Sequence, residues 1–156
     1  MRRLRKFILK YVMVGLYKAY VLPHLEYCSP LLLGIGYGET TKMENTNYYL
    51  LRSILGFPKS VSYDYPLKIV NIKSLDQCRQ LQSLVMLYKS LYSHGAPYIS
   101  KFFNLKNVKY NLRGLSTRLE LPPFNLEYVH RSFTLLVNKL WNVFPPTVRE
   151  SKDTIF

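Results

Sequence analysis

Residues 16–33 read LYKAYVLPHLEYCSPLLL, a stretch in which apolar and aromatic residues outnumber polar ones. This density is too high for a helix with one solvated face, so the sequence predicts a segment that is buried on most of its faces. Pro23 and Pro30 each bias the preceding residue away from the helical conformation. We therefore expect a helix to end or kink near Leu22 and the chain to break again near Ser29.

Helix signals lie on both sides of this stretch. Residues 3–22 contain no proline and show a helical pattern, which predicts a long first helix. Thr41 followed by Glu44 has the spacing of a capping box and predicts a second helix to about Leu55. Gly56 then stands where a left-handed C-terminal cap belongs, so the start and stop signals of this helix agree.

A third helix is predicted from a second capping box, formed by Ser74 and Gln77, to Gly95. Arg79 is expected to lie off the apolar stripe of this helix. The stripe has helical spacing and is widened by Leu84, Leu87 and Leu91; its other members are Leu75, Cys78, Leu81, Val85, Tyr88 and Tyr92.

Shorter helical segments complete the prediction. One or two turns are expected to start at Ser62 or Asp64, before Pro66, and a short helix is expected over residues 97–103. The last helix is expected over residues 127–143, with Trp141 as its heaviest apolar anchor and a core face that also includes Tyr128, Phe133, Leu136, Val137 and Leu140. A further turn is expected from Arg149 onward.

The composition bounds the class of protein. Residues 1–156 are 48% hydrophobic and 20% charged, a globular balance that predicts a single, mainly α-helical domain of about five helices. Twenty-two Lys and Arg against nine Asp and Glu leave a net charge of +13, which favours polyanionic partners such as nucleic acid. No apolar run approaches the roughly 20 residues of a membrane span, so we expect an intracellular protein, nuclear or cytoplasmic.

Basic residues form two groups of candidate contacts to nucleic acid, and Arg52 is a further single candidate. Residues 104–123 interleave cations with apolar residues and contain no acid before Glu120, which is typical of an irregular basic segment or a short hairpin. The alternative for both groups is a solvated surface that binds no ligand. The candidate phosphate contacts are Arg2, Arg3, Lys6 and Lys10 on the first helix, Arg52 on the second, and Lys106, Lys109, Arg113 and Arg118 in the basic segment.

The sequence contains no constellation that predicts catalysis, a metal site or a cofactor. His24, His94 and His130 are far apart, and each is expected to be structural or exposed. Cys28 and Cys78 lack the spacing of a zinc site, and both are expected to be reduced and buried. The glycines of residues 34–38 lack the context of a dinucleotide-binding loop and predict a flexible turn.

Several motifs recur in one known family. They are YKAYVLPHLEYCSP at 17–30, RSILG at 52–56, KSL at 73–75, LYK at 87–89, RSF at 131–133, LWN at 140–142 and PPTVR at 145–149. In this order the motifs resemble the region that comes after the polymerase palm in the reverse transcriptases of non-LTR, LINE-like retrotransposons. The resemblance covers nearly the whole chain.

The resemblance implies a fragment of an RNA-directed DNA polymerase, comprising the thumb and the region C-terminal to it, and truncated at both ends. A thumb grips the template and primer duplex through helices and basic residues, so RNA or DNA is the implied partner. The palm aspartates that hold catalytic metal ions are missing, because no Asp-Asp pair occurs in the sequence. We therefore expect no polymerase activity from this chain.

Three alternatives stay open from the sequence. Faces that the missing palm would cover can make the chain a protein-interaction module. The basic first helix can bind an anionic membrane surface. Finally, the chain can be an orphaned fragment with no independent activity.

Overall fold

The computed structural model describes residues 7–92, 97–107, 117–123 and 126–150. Over these ranges the chain is mainly helical, which confirms the predicted fold class, and five of the described helices contain seven or more residues. Arg3, the predicted start of the first helix, lies outside the described residues, but the prediction is wrong over residues 7–9, because these are not helical and the extended Leu9 is the N-cap of a helix that begins at Lys10. The helices are α1 (Lys10–Leu16), α2 (Leu22–Glu26), α3 (Tyr37–Leu55), α4 (Asp64–Val70), α5 (Leu75–Tyr92), α6 (Pro97–Ser100), α7 (Glu127–His130), α8 (Phe133–Val143) and α9 (Pro146–Arg149).

The described chain divides into two compact units. The first comprises the residues up to Ser29 together with Ile35–Arg79, and the second comprises Pro30–Gly34 and the residues from Gln80 onward. Each unit has a hydrophobic core of its own. This division into compact units does not test whether residues 1–156 form a single domain, which stays a prediction.

The helical path does not end near Leu22, and the helix changes type there instead. After α1 the backbone forms a π-helical segment, Tyr17–Val21, in which the N–H of Leu22 donates to the carbonyl of Tyr17 five residues back. Pro23 stands in the first turn of α2 and has no N–H to donate to the turn before it. The wider turn therefore lets the helical path continue past the proline to Glu26, and a 3₁₀ turn, Ser29–Leu32, comes after the predicted second break.

Residues 16–33 are less buried than their composition predicts. Tyr17 is fully buried, whereas Tyr20, Tyr27 and Leu31 are 69%, 75% and 78% exposed. The prediction of burial on most faces is therefore wrong, because the helical path presents one face to the core and leaves the others outside. The core of the first unit is formed by Met13, Tyr17, Leu51, Ile54, Leu55, Leu67 and Val70.

The α3 helix ends as predicted but starts earlier. Gly56 has φ 80° and ψ 24°, which is the left-handed cap expected after Leu55. The capping box at Thr41 is wrong, because α3 starts at Tyr37 and Thr41 Oγ1 donates to the Tyr37 carbonyl at 2.8 Å. Glu44 instead accepts a hydrogen bond from the backbone N–H of Asp76 at 2.9 Å, so it caps α5 rather than its own helix.

The second capping box is confirmed. Ser74 Oγ accepts from the N–H of Gln77 at 3.2 Å, and Gln77 Oε1 accepts from the N–H of Ser74 at 3.3 Å. The end at Gly95 lies outside the described residues.

The buried face of α5 differs from the predicted stripe. Its most buried side chains recur every four residues, at Leu75, Arg79, Ser83 and Leu87, whereas Leu81 is 40% exposed. The prediction that Arg79 lies off this face is therefore wrong, since Arg79 is 1% exposed and its Nη2 lies 3.4 Å from Met43 Sδ. A long apolar stem lets the arginine side chain fill a core position that its charge alone disfavours.

The last predicted helix is interrupted. Ser132 begins α8 by accepting a hydrogen bond from the N–H of Leu135 at 3.4 Å, so residues 127–143 form two helices rather than one. Gly34 approaches this break closely, since a Cβ at residue 34 would lie 1.9 Å from the Arg131 carbonyl oxygen. Tyr128 precedes the break and is 73% exposed, so its predicted place in the core is wrong.

The second unit has a core anchored on α8. Trp141, predicted as the heaviest anchor, is 5% exposed and packs with Leu87, Phe103, Leu119 and Val137. A short helix, α9, begins at Pro146, because proline fits the first turn of a helix. The turn predicted from Arg149 onward lies mostly outside the described residues.

The two cysteines have different environments. Cys78 is half-buried, and burial raises the pKa of its thiol to about 12, with Glu26 adding to the effect. Cys28 is exposed and has φ 54°, so the prediction that it is buried is wrong. Both thiols are free, as predicted.

Candidate nucleic-acid interface

The two flanks of the basic segment meet as an antiparallel bridge between Leu105 and Leu119. The N–H of Lys106 donates to the carbonyl of Arg118, and the N–H of Glu120 donates to the carbonyl of Asn104, both at 2.8 Å. This pairing agrees with a short hairpin, of which residues 108–116 lie outside the described part. It fixes the backbones of Lys106 and Arg118 side by side.

Helix α8 holds the second flank through its side chains. Asn142 Oδ1 accepts from the N–H of Leu119, and Asn142 Nδ2 donates to the carbonyl of the same residue, both at 3.0 Å. Asn138 Nδ2 donates to the carbonyl of Glu120 at 2.8 Å. The two asparagines are four residues apart and so share one face of the helix, where they replace the partner strand that Thr117–Glu120 lacks on this side.

Trp141 adds an anchor to this arrangement. Its indole Nε1 donates to the carbonyl of Thr117 at 3.0 Å, while its ring lies 6.4 Å from that of Tyr92. The indole thus has an apolar environment and a polar partner at once, which is what a buried tryptophan requires. Arg118 is thereby held between two residues, Thr117 and Leu119, whose backbones are bonded to α8.

A groove of about 480 Å³ opens beside the bridge. Lys106 and Arg118 are exposed and lie on its wall, and among the lining residues that the structure describes Glu120 is the one acidic residue. The groove therefore carries more positive than negative charge, which favours an anionic ligand. The lining consists of Lys106, Asn107, Arg118, Leu119, Glu120, Leu121 and Asn142.

Arg149 lies near this basic pair but inside the protein. Its side chain is 1% exposed, and its backbone carbonyl accepts a hydrogen bond from Tyr92 Oη at 2.9 Å. Burial lowers the pKa of the Arg149 guanidinium, and the positive charge of Arg118 lowers it further. Burial also raises the pKa of the Tyr92 phenol.

Two other predicted phosphate contacts, Lys10 and Arg52, belong to the first unit. Lys10 is exposed in the first unit. Arg52 is 9% exposed, with its guanidinium carbon 5.5 Å and 5.1 Å from the ring centres of Tyr48 and Tyr49, so its charge is engaged by two aromatic faces. The remaining candidates, Arg2, Arg3, Lys6, Lys109 and Arg113, lie outside the described residues.

Sequence patterns missed the residues that build the interface. Asn138 and Asn142 flank Trp141 at helical spacing, which is a signal for one shared polar and aromatic face. Nothing local indicates that this face holds a backbone segment about 20 residues earlier. Arg149 belongs to one of the family motifs, but the motif assigns it no role.

Neither metal nor membrane chemistry is indicated where the structure can be described. No group of three or more His, Cys, Asp or Glu side chains there has the arrangement to hold a metal ion. Among the described helices, none has both the length and the hydropathy that crossing a membrane requires. No family model, curated protein or solved structure matches the chain, so its function has to be inferred from its residues and their geometry.

Proposed function

We propose that this chain binds RNA or DNA through the phosphate backbone and corresponds to the thumb and following region of a LINE-like reverse transcriptase. The observation that carries the proposal is the fixed pairing of Lys106 and Arg118 beside the groove. Backbone hydrogen bonds fix the two positions from which these cationic side chains extend, so that both can reach phosphates of one backbone. The net charge of +13 adds long-range attraction.

The groove favours backbone contacts over reading of bases. The amide of Asn142 is bonded at both its oxygen and its nitrogen to Leu119, so it is not free for the paired hydrogen bonds that identify a base. Lys106 and Arg118 suit phosphate oxygens, which are the same in every sequence. We therefore expect little discrimination between nucleic-acid sequences of the same form.

A salt titration tests the interface. Fluorescence anisotropy of a labelled RNA–DNA primer duplex is measured with the wild-type chain and with the double variant Lys106→Gln/Arg118→Gln at several NaCl concentrations. Each phosphate contact adds about 0.9 to the slope of log affinity against log salt, so we expect the double variant to reduce the slope by about 1.8. Its affinity should fall about tenfold or more at low salt.

A matched double variant controls for net charge. Lys59 and Lys68 are exposed residues of the first unit, and Lys59→Gln/Lys68→Gln removes the same two charges. This control should keep nearly the wild-type slope. If both double variants weaken binding equally, the positive charge acts diffusely and the interface at Lys106 and Arg118 is refuted.

We also infer that the chain has no polymerase activity, because the sequence contains no Asp-Asp pair. Purified protein incubated with magnesium, nucleotides and primed RNA should leave the primer unextended. Extension of the primer by the wild-type chain would refute this inference.

Protein binding is the second candidate function. It is favoured by exposed aromatic side chains of the first unit, since Tyr11, Tyr27 and Tyr37 are 73%, 75% and 87% exposed. Absence of duplex binding at low salt, combined with self-association in size-exclusion chromatography, would favour this candidate over nucleic-acid binding.

A further inference from the structure

Arg149 is a buried cation, and two of its guanidinium nitrogens have no hydrogen-bond partner among the described residues. The side chain is 1% exposed, and within the described part of the chain its Nε and Nη1 have no hydrogen-bond partner. Burial of an ionised group costs several kcal/mol unless partners replace the lost water. A guanidinium does not avoid this cost by losing its proton, because arginine stays protonated in proteins.

The fold fixes Arg149 in this place through its backbone. Helix α9 presents the Arg149 carbonyl to Tyr92 Oη, and the Tyr92 ring lies 5.1 Å from that of Tyr88 and 6.4 Å from that of Trp141. The turn is thus bonded to an aromatic cluster that includes the buried Trp141, while Tyr92 itself is 40% exposed. The guanidinium is therefore held inside by packing around it and not by an ionic partner among the described residues.

The charges around Arg149 do not neutralise it. Arg118 repels its positive charge, while Glu150, whose side chain is exposed, attracts it. Contacts also bring the two arginines into one region, since Thr117, the neighbour of Arg118, accepts from Trp141, and the Trp141 ring lies 6.4 Å from that of Tyr92, which donates to the Arg149 carbonyl. Because Nε and Nη1 of Arg149 have no partner among the described residues, this arrangement suits a shared anion. Phosphate suits such a pair because its several oxygens can accept from two guanidinium groups at once.

We propose that Arg149 and Arg118 together form a binding site for one phosphate group. The site rests on the proposed function, because its ligand can be a backbone phosphate of bound nucleic acid. A free phosphate ion has the same chemistry and can bind in the same way. The Arg149 side chain is 1% exposed, so binding of a phosphate requires the side chains around it to move.

Thermal unfolding with inorganic phosphate tests the site without nucleic acid. The melting temperature of the whole chain is compared in sodium phosphate and in sodium chloride at the same pH and ionic strength. We expect phosphate to raise the melting temperature of the wild-type chain by about 3 °C or more, because a ligand that binds the folded state stabilises it. Arg118→Gln should reduce this rise, since only one guanidinium is left.

Two variants of Arg149 separate a binding role from a structural one. Arg149→Met removes the buried charge but keeps the stem, so its melting temperature in chloride should equal or exceed that of the wild type while the rise with phosphate disappears. Arg149→Lys keeps the charge without the two-pronged donor geometry, and its phosphate affinity should fall about tenfold. The exposed Lys101 serves as the control, and Lys101→Gln should keep the full rise.

The outcomes distinguish this site from the proposed function. No rise in the wild-type chain, an unchanged rise in Arg149→Lys, or an equal rise in Arg149→Met would overturn the phosphate site, even if duplex binding is observed. A rise that depends on Arg149 in a chain that binds no duplex would support the site, identify the free ion as its ligand, and refute nucleic-acid binding.

Discussion

Replacement of Trp141 by alanine should lower the free energy of unfolding by about 3–5 kcal/mol, the range for deletion of a large buried aromatic side chain. Trp141 is 5% exposed and lies in the core of the second unit. The substitution also removes the donor to the Thr117 carbonyl, so the second flank of the basic segment loses an anchor. Urea unfolding followed by far-UV circular dichroism measures the loss, because Trp141 is the sole tryptophan and its fluorescence disappears with it.

Trp141→Phe is the matched control for this experiment. Phenylalanine keeps an aromatic ring beside Tyr92 but cannot donate to Thr117. We expect a loss of about 1–3 kcal/mol, which is the cost of leaving a buried polar group without its partner. A loss below about 1 kcal/mol in Trp141→Ala would show that the indole is not an anchor of this core.

The same pair of variants links the fold to the proposed function. If Trp141 helps to position Arg118, the alanine variant should show a smaller salt dependence of duplex binding at temperatures where it is still folded. The phenylalanine variant should lie between alanine and the wild type. A wild-type salt slope in folded Trp141→Ala would mean that the bonds of Asn138 and Asn142 alone hold the basic flank.

Local sequence signals predicted the features that depend on local contacts. The cap at Gly56 depends on backbone conformation at one residue, and the box of Ser74 and Gln77 depends on two residues of one turn. Burial of Trp141 is explained by its size and the pattern of its helix. Such features need no knowledge of the rest of the chain, and the sequence is sufficient for them.

Features that depend on distant partners were predicted poorly. Thr41 and Glu44 have the spacing of a capping box, but Glu44 is bound by a helix start 32 residues later in the sequence. Arg79 was placed outside by its charge, whereas its long stem fills the core beside Met43. Spacing alone cannot reveal which of two partners a carboxylate or a guanidinium will meet.

The candidate site shows the same difference between features that depend on local contacts and features that depend on distant ones. Charge and composition identified the basic segment, and the bridge of Leu105 and Leu119 places two of its cations, Lys106 and Arg118, together. The residues that hold the segment are neutral asparagines, which carry no signal in a charge count. The free nitrogens of Arg149 can be recognised only once its burial is known.

Glu44→Ala should produce the second large loss, about 3 kcal/mol in the free energy of unfolding. Glu44 Oε1 accepts from the N–H of Asp76 at 2.9 Å, and Glu44 Oε2 accepts from Tyr63 Oη. One carboxylate thus joins α3, the N-terminal turn of α5 and the loop before α4. A negative charge at a helix N-terminus is favourable, and a hydrogen bond to a charged group contributes about 1.5–3 kcal/mol.

Two further variants separate the charge of Glu44 from its position. Glu44→Gln keeps an oxygen acceptor without the charge, so its loss should be about 1 kcal/mol, less than that of alanine. Glu39→Ala removes another carboxylate of α3, whose 2.8 Å ion pair with Lys42 is exposed, and should change stability by less than about 0.5 kcal/mol. Equal losses in Glu44→Ala and Glu39→Ala by urea unfolding would show that Glu44 acts only through the helix on which it lies. A large loss confined to Glu44 would instead confirm that this carboxylate connects separate segments of the first unit.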